Sequence, residues 1–574
     1  MYKEEKYKVL KRYFGYESFR EGQEELIDAL LKKNDVFGIM PTGAGKSLCY
    51  QVPALMFSGI TLVISPLISL MKDQVAALNQ AGVYAAYLNS SLTQGQYFKA
   101  LEFAKAGKYK IIYVAPERLM TESFLSFALH AEISFVSVDE VHCVSQWGQD
   151  FRPSYLKIVE FIQRLPKRPV IGAFTATATQ AVREDVMRIL QLHNPKTVTT
   201  GFDRKNLTFS VKVPKDKKQE MLSLLTQYQK DSGIIYCITR KLVEEIYEYL
   251  KEYGLSVSKY HAGMSDQERA EHQDNFIYDR TQIMVATNAF GMGIDKADVR
   301  LVIHYDIPDA LEQYYQEAGR AGRDGQKSYA VLLTTPSSVE QLVRRHEKVF
   351  PPKEYVRAIY QHLANYYVIG EGSGEGAVYP FKLEEFCHVC KLSYSLTMGA
   401  LNILQWAGYI TLTEEMESPS KLKVIMHPSK LYEWRMEHPD KDEILETILR
   451  TYTGIFTDAK HINEDRIAIL AHTTRDNVYT HLIWLHRVGL VQYVPFKRTP
   501  LLIYNTDRQD ADSLYIPPVA YENRIDRMYA RLVSIYEYST KDTCRSVLLA
   551  RYFGQSDTQP CGHCDVCIAN KKRG

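Results

Sequence analysis

Over roughly the first 350 residues, apolar runs of only four to six residues alternate with helical stretches, and this rhythm restricts the fold more than any other feature. One set lies at 36–40, 61–64, 111–114, 135–138 and 170–174. A second lies at 233–237, 255–260, 283–286, 301–304 and 329–333. Runs this short and this apolar are buried on both faces only as parallel strands with helices packed on either side. Two α/β halves in tandem are therefore expected, with 200–204 as the hinge between them. Beyond about residue 350 the pattern changes to helices with few strands, and 371–376 reads as a flexible glycine-rich loop.

Candidate chemistry sits where such strands end. Asp139 and Glu140 follow the run Phe135-Val136-Ser137-Val138, so they emerge at the carboxyl end of a buried strand, the place where parallel sheets collect ligands. Adjacent acids can hold Mg²⁺ and polarise a water. Just beyond them, Trp147 and Phe151 stand among Gln146, Gly148, Gln149, Asp150 and Arg152. Rings in such polar company suit base stacking, although a lone Trp in a loop also serves as a packing anchor. Upstream, 36–40 reads as a strand, Pro41-Thr42-Gly43-Ala44-Gly45 as a tight loop and Lys46-Ser47 as a helix start. Backbone N–H groups there can wrap a phosphate, Lys46 can reach the outer phosphates and Ser47 can ligate Mg²⁺. Met40 stands where the strict phosphate-loop pattern has glycine. In the second half, 285–295 ends a strand in a glycine-bearing loop that leads to Asp295. Within 316–325, Arg320 and Arg323 lie three apart and share a face if the segment is helical. An arginine from a facing lobe meets transition-state charge only on closure.

Cys544, Cys561, Cys564 and Cys567 give the spacing C-x16-C-x2-C-x2-C. Four thiolates suit tetrahedral Zn²⁺ with no open position, so a structural site is expected, and its subdomain should depend on metal to fold. Cys387 and Cys390 form a second CxxC without a partner pair and are expected to face a core. Residues 400–410 align with 481–491, matching Leu401 to Leu482, Leu404 to Leu485 and Gly408 to Gly489. Each is a helix that ends in glycine and enters a strand, as in winged-helix units, which either grip duplex DNA or act as a spacer.

A formal net charge of +2 on 574 residues means that any nucleic-acid contact must come from local patches. No apolar run approaches the ~18 residues of a membrane span, and the charged start Met1-Tyr2-Lys3-Glu4-Glu5-Lys6 lacks a signal-peptide stretch. Scattered cysteines suit a reducing compartment. A cytoplasmic protein without a membrane partner is expected.

In these residues the chain resembles RecQ-family DNA helicases of the second helicase superfamily, over roughly 1–345 and again over about 520–570. The resemblance rests on Phe14-Gly15, Phe19-Arg20 and Gln23, on 40–47, on Ala115-Pro116-Glu117-Arg118-Leu119 and on Asp139-Glu140-Val141-His142. It continues through 145–153, Phe174-Thr175-Ala176-Thr177-Ala178-Thr179, Ile294-Asp295 and 316–325. It implies two RecA-like parallel-sheet lobes over 1–200 and 201–350. The internal repeat, not the resemblance, places winged-helix-like domains over 351–435 and 436–518, and the cysteine spacing a helical Cys₄ zinc subdomain over 519–574.

The resemblance also implies roles. Tyr16, Arg20 and Gln23 would bind adenine, with Thr42, Gly43, Gly45, Lys46, Ser47 and Asp295 completing the ATP site. Ser47 and Asp139 would hold Mg²⁺, and Glu140 would activate the attacking water. His142 and Gln146 would relay nucleotide state to Trp147 and Phe151, which with Arg152 would contact single-stranded DNA. Thr175 and Thr177 would couple the two sites. Arg320 and Arg323 would form the arginine pair, with Arg323 as the finger.

The implied activity is ATP- and Mg²⁺-dependent movement 3′ to 5′ along single-stranded DNA. Such an enzyme would open duplexes and junctions in recombination, repair or fork maintenance, as a monomer, with a single-stranded-DNA-binding protein as candidate partner. An RNA helicase, or a DNA-binding scaffold with a vestigial ATPase, shares many of these motifs; the aromatic loop argues against the first and intact Lys46, Glu140 and Arg323 against the second. One departure stands out. The family's zinc module usually follows the core directly, whereas here the winged-helix-like region comes first, and no further nucleic-acid domain is expected after Lys571-Lys572-Arg573-Gly574. Residues 493–498 are the candidate strand-separating hairpin.

Overall fold

The computed structural model describes residues 2–573 except 42, 90, 91, 93, 146–151, 203, 292–295, 413–415, 419, 440, 441, 453, 457–459, 495 and 496. The chain forms two units, Met1–Val343 with Arg527–Gly574, and Arg344–Asp526.

The first unit begins with seven strands: β1 (Val36–Ile39), β2 (Ile60–Ile64), β3 (Ala85–Leu88), β4 (Ile111–Val114), β5 (Ile133–Val138), β6 (Val170–Thr175) and β7 (Lys196–Thr199). They pair in parallel in the order β3-β4-β2-β5-β6-β1-β7. Every residue of β1 and β4 is buried, which explains their unbroken apolar text. Phe174 fills the space over β1 and β6: a methyl on Gly172 would stand 2.7 Å from its ring, and one on Gly38 2.9 Å. Burying one such ring contributes about 1.5–3 kcal/mol, so these two glycines are packing requirements. The order places β6 between β1 and β5, and the loops leaving these three strands meet at one end of the sheet.

Residues 200–206 cross to a second parallel sheet of β8 (Leu207–Lys212), β9 (Ser232–Tyr236), β10 (Val257–Tyr260), β11 (Ile283–Ala286), β12 (Val299–His304) and β13 (Ser328–Leu333). Its order is β10-β11-β9-β12-β13-β8. The cysteine module belongs to the same unit although 183 residues of chain, 344–526, intervene. Its helix Asp565–Arg573 docks on β8, where Asp565 Oδ2 accepts the Val211 N–H at 3.0 Å. Tyr538 OH meets Tyr314 OH at 3.0 Å, both rings being buried.

The second unit has two cores, and its division differs from the expected cut between 435 and 436. One core joins Tyr360, Phe386 and Leu404 to Leu502 and Tyr504. The other lies wholly within 422–493 and includes Leu422, Leu445, Leu482 and Val491. Strand pairing gives the reason. β14 (Val378–Pro380) and β15 (Ile410–Leu412) both bond to β21 (Leu501–Tyr504), so the chain returns to its first domain after completing the second. The nested domain carries β17 (Lys421–Val424), β18 (Lys460–His461) and β19 (Val491–Val494), and β16 (Met416–Ser418) pairs with β20 (Lys497–Thr499). These short antiparallel strands exceed the few anticipated. The repeat is present: Tyr394–Trp406 turns at Gly408 (φ +89°) into β15, and Arg475–Arg487 turns at Gly489 (φ +77°) into β19. Cys387 is buried in the first core and Cys390 packs against it. The candidate hairpin at 493–498 falls partly outside the described residues. No helix among those described is long and apolar enough to cross a membrane.

Candidate functional site

A cleft of about 600 Å³ opens at the ends of β1, β5 and β6. From lobe 1 it is lined by Tyr16, Arg20, Gln23, Gly43, Gly45, Lys46, Ser47, Asp139, Glu140, His142 and Arg152. Lobe 2 adds Gly291, Gln316, Arg320 and Arg323.

The loop after β1 turns through Gly43 (φ +85°) and Gly45 (φ +79°), a backbone region that L side chains rarely adopt. Lys46 Nζ lies 2.8 Å from Asp139 Oδ1 and 3.0 Å from Glu140 Oε1. Burial works against charge on Lys46, but the two carboxylates outweigh it and raise its pKa. Burial also pushes the Asp139 carboxyl up, against the pull of Lys46. In Glu140 the same burial is outweighed by Lys46, His142 and Arg320, which hold the carboxyl below the usual range. Half-buried and ionised beside a phosphate loop, Glu140 is placed to orient a water and, once Lys46 turns to a phosphate, to take its proton.

Gln23 braces this loop. Its Nε2 donates to the carbonyls of Ala44 and Gly45, each at 3.0 Å, while Oε1 accepts the Arg20 N–H at 2.8 Å. Arg20 Nη1 donates to Gly43 O at 2.6 Å. Both amide donors of Gln23 are therefore occupied by the loop. Tyr16 is 51% exposed at the rim, free to stack on a planar ligand.

The expectation that Arg320 and Arg323 share a helix face is not met. The helix ends at Ala318, and Gly322 (φ +64°) turns the chain in a way helix geometry forbids. Arg204 and Asn206 take over the carbonyls of this turn: Arg204 donates to Gly319, Ala321 and Gly322 at 3.2, 2.9 and 2.7 Å, and Asn206 to Gly322 at 2.7 Å. Both arginines still face the cleft. Arg320 donates to Gly291 O, and Arg323 lies so close over the phosphate loop that a methyl on Gly43 would sit 3.3 Å from its Cγ.

A polar chain connects the lobes. His142 Nδ1 lies 3.4 Å from Glu140 Oε2 and 2.8 Å from Thr175 Oγ1, which donates to Thr177 O at 3.1 Å. Gln316 of lobe 2 then donates to Thr177 Oγ1 at 3.1 Å. At the root of the aromatic loop, Ser145 donates to Asp185 at 2.7 Å.

The four cysteine sulfurs lie within 4.8 Å of one another. Cys544 Sγ is 3.5 Å from Cys561 Sγ and 3.9 Å from Cys564 Sγ. Zinc–thiolate bonds of about 2.3 Å require tetrahedral edges of about 3.8 Å. The N–H groups of Cys561, Cys564 and Cys567 point at the sulfurs of Cys544, Cys561 and Cys564 at 3.2, 3.3 and 3.4 Å. Burial raises Cys544 and Cys564, whereas in Cys561 backbone N–H groups outweigh it and hold the thiol at about 7. Donor number, spacing and N–H support fit a closed structural Zn²⁺ site.

Thr42, Gln146, Trp147, Phe151 and Asp295 lie outside the described residues. Sequence reasoning did not single out Gln316 alone, Tyr155, Arg204 or Asn206. Tyr155 OH donates to the Asp139 carbonyl at 3.0 Å and fixes the acid's backbone. None of these carries a spacing signal, although Arg204 sits in the run read as the hinge.

Four family models match the chain: "DEAD/DEAH box helicase" over 20–185, "Helicase conserved C-terminal domain" over 216–325, "RecQ helicase winged-helix domain, Bacteroidota" over 422–495 and "RecQ zinc-binding" over 507–568. An ATP-dependent DNA helicase RecQ of Bacillus subtilis is 48% identical over 332 residues, 58% of this chain and 56% of that relative. A probable ATP-dependent DNA helicase RecS of the same organism is 39% identical over 336 residues, 58% of this chain and 67% of the relative. Among solved structures, a DUF1998 helicase MrfA bound to DNA superposes with TM-score 0.50 at 18% identity, over 60% of this chain and 53% of that one; this similarity is one of fold. The chain spans little more than half the length of the first of these curated relatives.

Proposed function

The chain belongs to the RecQ family of helicases, and from that membership we propose that it is an ATP- and Mg²⁺-dependent DNA helicase moving 3′ to 5′ on single-stranded DNA and opening duplexes. The observation that carries this reading is Lys46, held by Asp139 and Glu140 in a cleft whose far wall bears Arg320 and Arg323.

When ATP enters, Lys46 exchanges its carboxylates for the outer phosphates, and the loop N–H groups between Gly43 and Ser47 hold their oxygens. Ser47 and Asp139 would hold Mg²⁺, whose charge would offset that of the phosphates. Glu140, released from Lys46, orients a water and takes its proton. Arg323, with Arg320 behind it, meets charge developing on the transferred phosphoryl group only when the lobes close. The chain from Glu140 through His142, Thr175 and Thr177 to Gln316 transmits that event between lobes, and it passes close to Ser145, where the aromatic loop begins. Trp147, Phe151 and Arg152 would stack on and steady the DNA strand, with each cycle of closing and reopening ratcheting it along. Action as a cytoplasmic monomer in recombination, repair or fork maintenance, alongside a single-stranded-DNA-binding protein, belongs to the same proposal.

The test is the ATPase rate with single-stranded DNA, with RNA and without nucleic acid, at fixed salt because phosphate contacts are salt-sensitive. Stimulation by DNA alone is expected. Equal stimulation by RNA would move the assignment to RNA helicases, and absence of turnover would favour a scaffold.

A further inference from the structure

The cysteine module touches the helicase lobes at a point that neither the nucleotide cleft nor the metal explains. Its helix Arg545–Tyr552 ends in Phe553, Gly554 (φ +83°) and Gln555. Phe553 is fully buried, and not by the module's own core. Its ring stacks on Phe202, with centroids 4.5 Å apart and planes 18° from parallel. Phe202 lies in the 200–206 crossing between the two sheets. The Phe202 N–H donates to Gln555 Oε1 at 3.3 Å, and its carbonyl accepts Tyr315 OH at 2.8 Å. Tyr315 closes the triangle, 5.6 Å from Phe202 and 5.3 Å from Phe553. On the other side, Arg183 of lobe 1 donates to Phe553 O at 2.8 Å and to Ala178 O at 3.2 Å.

One corner of the module thus joins lobe 1 through Arg183, the crossing through Phe202, and lobe 2 through Tyr315. Two of these anchors lead to the interlobe coupling residues: Arg183 also bonds to Ala178, which follows Thr177, and Tyr315 precedes Gln316. Lobes that open and close must change backbone angles in a short connecting segment, since packed interiors do not deform continuously. Here that segment is clamped at Phe202 by an aromatic stack and two hydrogen bonds.

We propose that Phe553 is a positioning residue, the pin about which the two lobes rotate, so that the cysteine module sets the closed geometry of the ATP cleft from outside it. The proposal rests on the ATPase reading above. Without the pin, lobe 1 still binds nucleotide, but the turn carrying Arg320 and Arg323 reaches its place less often. The signature is a loss in kcat with little change in KM.

The experiment uses the full chain with donor and acceptor dyes on unnatural amino acids at the exposed positions Tyr84 and Tyr253, one per lobe. Interlobe distance is read with and without a non-hydrolysable ATP analogue, Mg²⁺ and oligo-dT, beside steady-state ATPase and zinc content. Phe553→Ala is expected to keep one zinc per chain, to lose about ten-fold in kcat with KM for ATP little changed, and to shrink the closing movement. Phe553→Leu, which keeps most of the bulk, should recover most of both. A zinc-loaded Phe553→Ala that closes and turns over like the parent would overturn the proposal. So would a fall in kcat with unaltered closure, or a Leu variant no better than Ala. If Phe553→Ala loses zinc, Gln555→Ala decides, because it deletes only the bond to the crossing: a smaller loss in kcat and closure supports the pin, and no change refutes it. A parent chain without ATP turnover would instead overturn the reading of the cleft, which separates the two failures.

Discussion

The nucleotide cleft and the cysteine module reach order by opposite means. In the cleft, groups as far apart in sequence as Lys46 and Glu140 are brought together by strand ends that are already buried, and their charges neutralise one another. The strands that carry these groups are held by their own apolar packing, through Val36, Met40, Phe135 and Phe174. In the module, four sulfurs drawn from 544–567 converge around a point where backbone N–H groups oppose their mutual repulsion once ionised. Its small core consists largely of the cysteines themselves with Val547 and Val566. A site on a finished scaffold can lose its chemistry and keep its shape, whereas a site that is the scaffold cannot.

Metal removal should break the comparison open most widely. Structural zinc supplies about 10–16 kcal/mol of apparent binding energy in small domains, more than the valines here can replace. Chelation should therefore abolish amide protection across 541–573 while β1, β5 and β6 keep theirs, as read by hydrogen exchange with mass spectrometry. Protection lost together in both regions would show that lobe 1 leans on the module for stability.

In the cleft the corresponding change is Glu140→Gln. Loss of a positioned general base lowers turnover by about 10²–10⁴, with the fold retained. The pH dependence has a definite sign. Glu140 is held below its ordinary value of 4.5, so its contribution to stability is present above that value and is lost as pH falls through the depressed one. Parent and variant should differ by about 2 kcal/mol at neutral pH, the scale of a hydrogen bond to a charged group, and converge on acidification. Urea titrations at several pH values measure this, and a gap that widened in acid would contradict the charge assignment.

Much of this contrast was legible in the sequence. Central strands were readable because burial on both faces leaves unbroken apolar text, as in β1 and β4. Edge strands β3, β7 and β8 were not, because β3 is largely alanine and tyrosine and the other two are partly exposed and polar. The phosphate loop, the acidic pair and the Cys₄ spacing were readable because their chemistry demands fixed residue types at short spacing. Arg204, Asn206 and Tyr155 were not, since they act by reaching carbonyls over 100 residues away or across a turn, and many polar side chains can do that. The nested order of the second unit was hidden for a related reason. β14, β15 and β21 are three or four residues each, and only their pairing reveals that the chain returns. The arginine turn misled because its spacing matches a helix and only Gly322 announces otherwise.

The smallest effect concerns Gln23, where the sequence reading and the geometry suggest different work for one amide. Reading the adenine edge takes one N–H and one carbonyl oxygen from the amide. Both N–H groups are already bonded to Ala44 and Gly45, at about 0.5–1.5 kcal/mol each. A base can be read only by giving one of these up, so most of the net gain goes to holding the loop. Gln23→Ala should accordingly raise KM about ten-fold for ATP and for GTP alike, since both need the same loop. The measurement is steady-state turnover with each nucleotide. A rise for ATP alone would put the amide on the base and make the loop bonds a resting arrangement; a parallel rise would make Gln23 a brace, extending to the phosphate loop the self-sufficiency that separates this cleft from the metal-bound module.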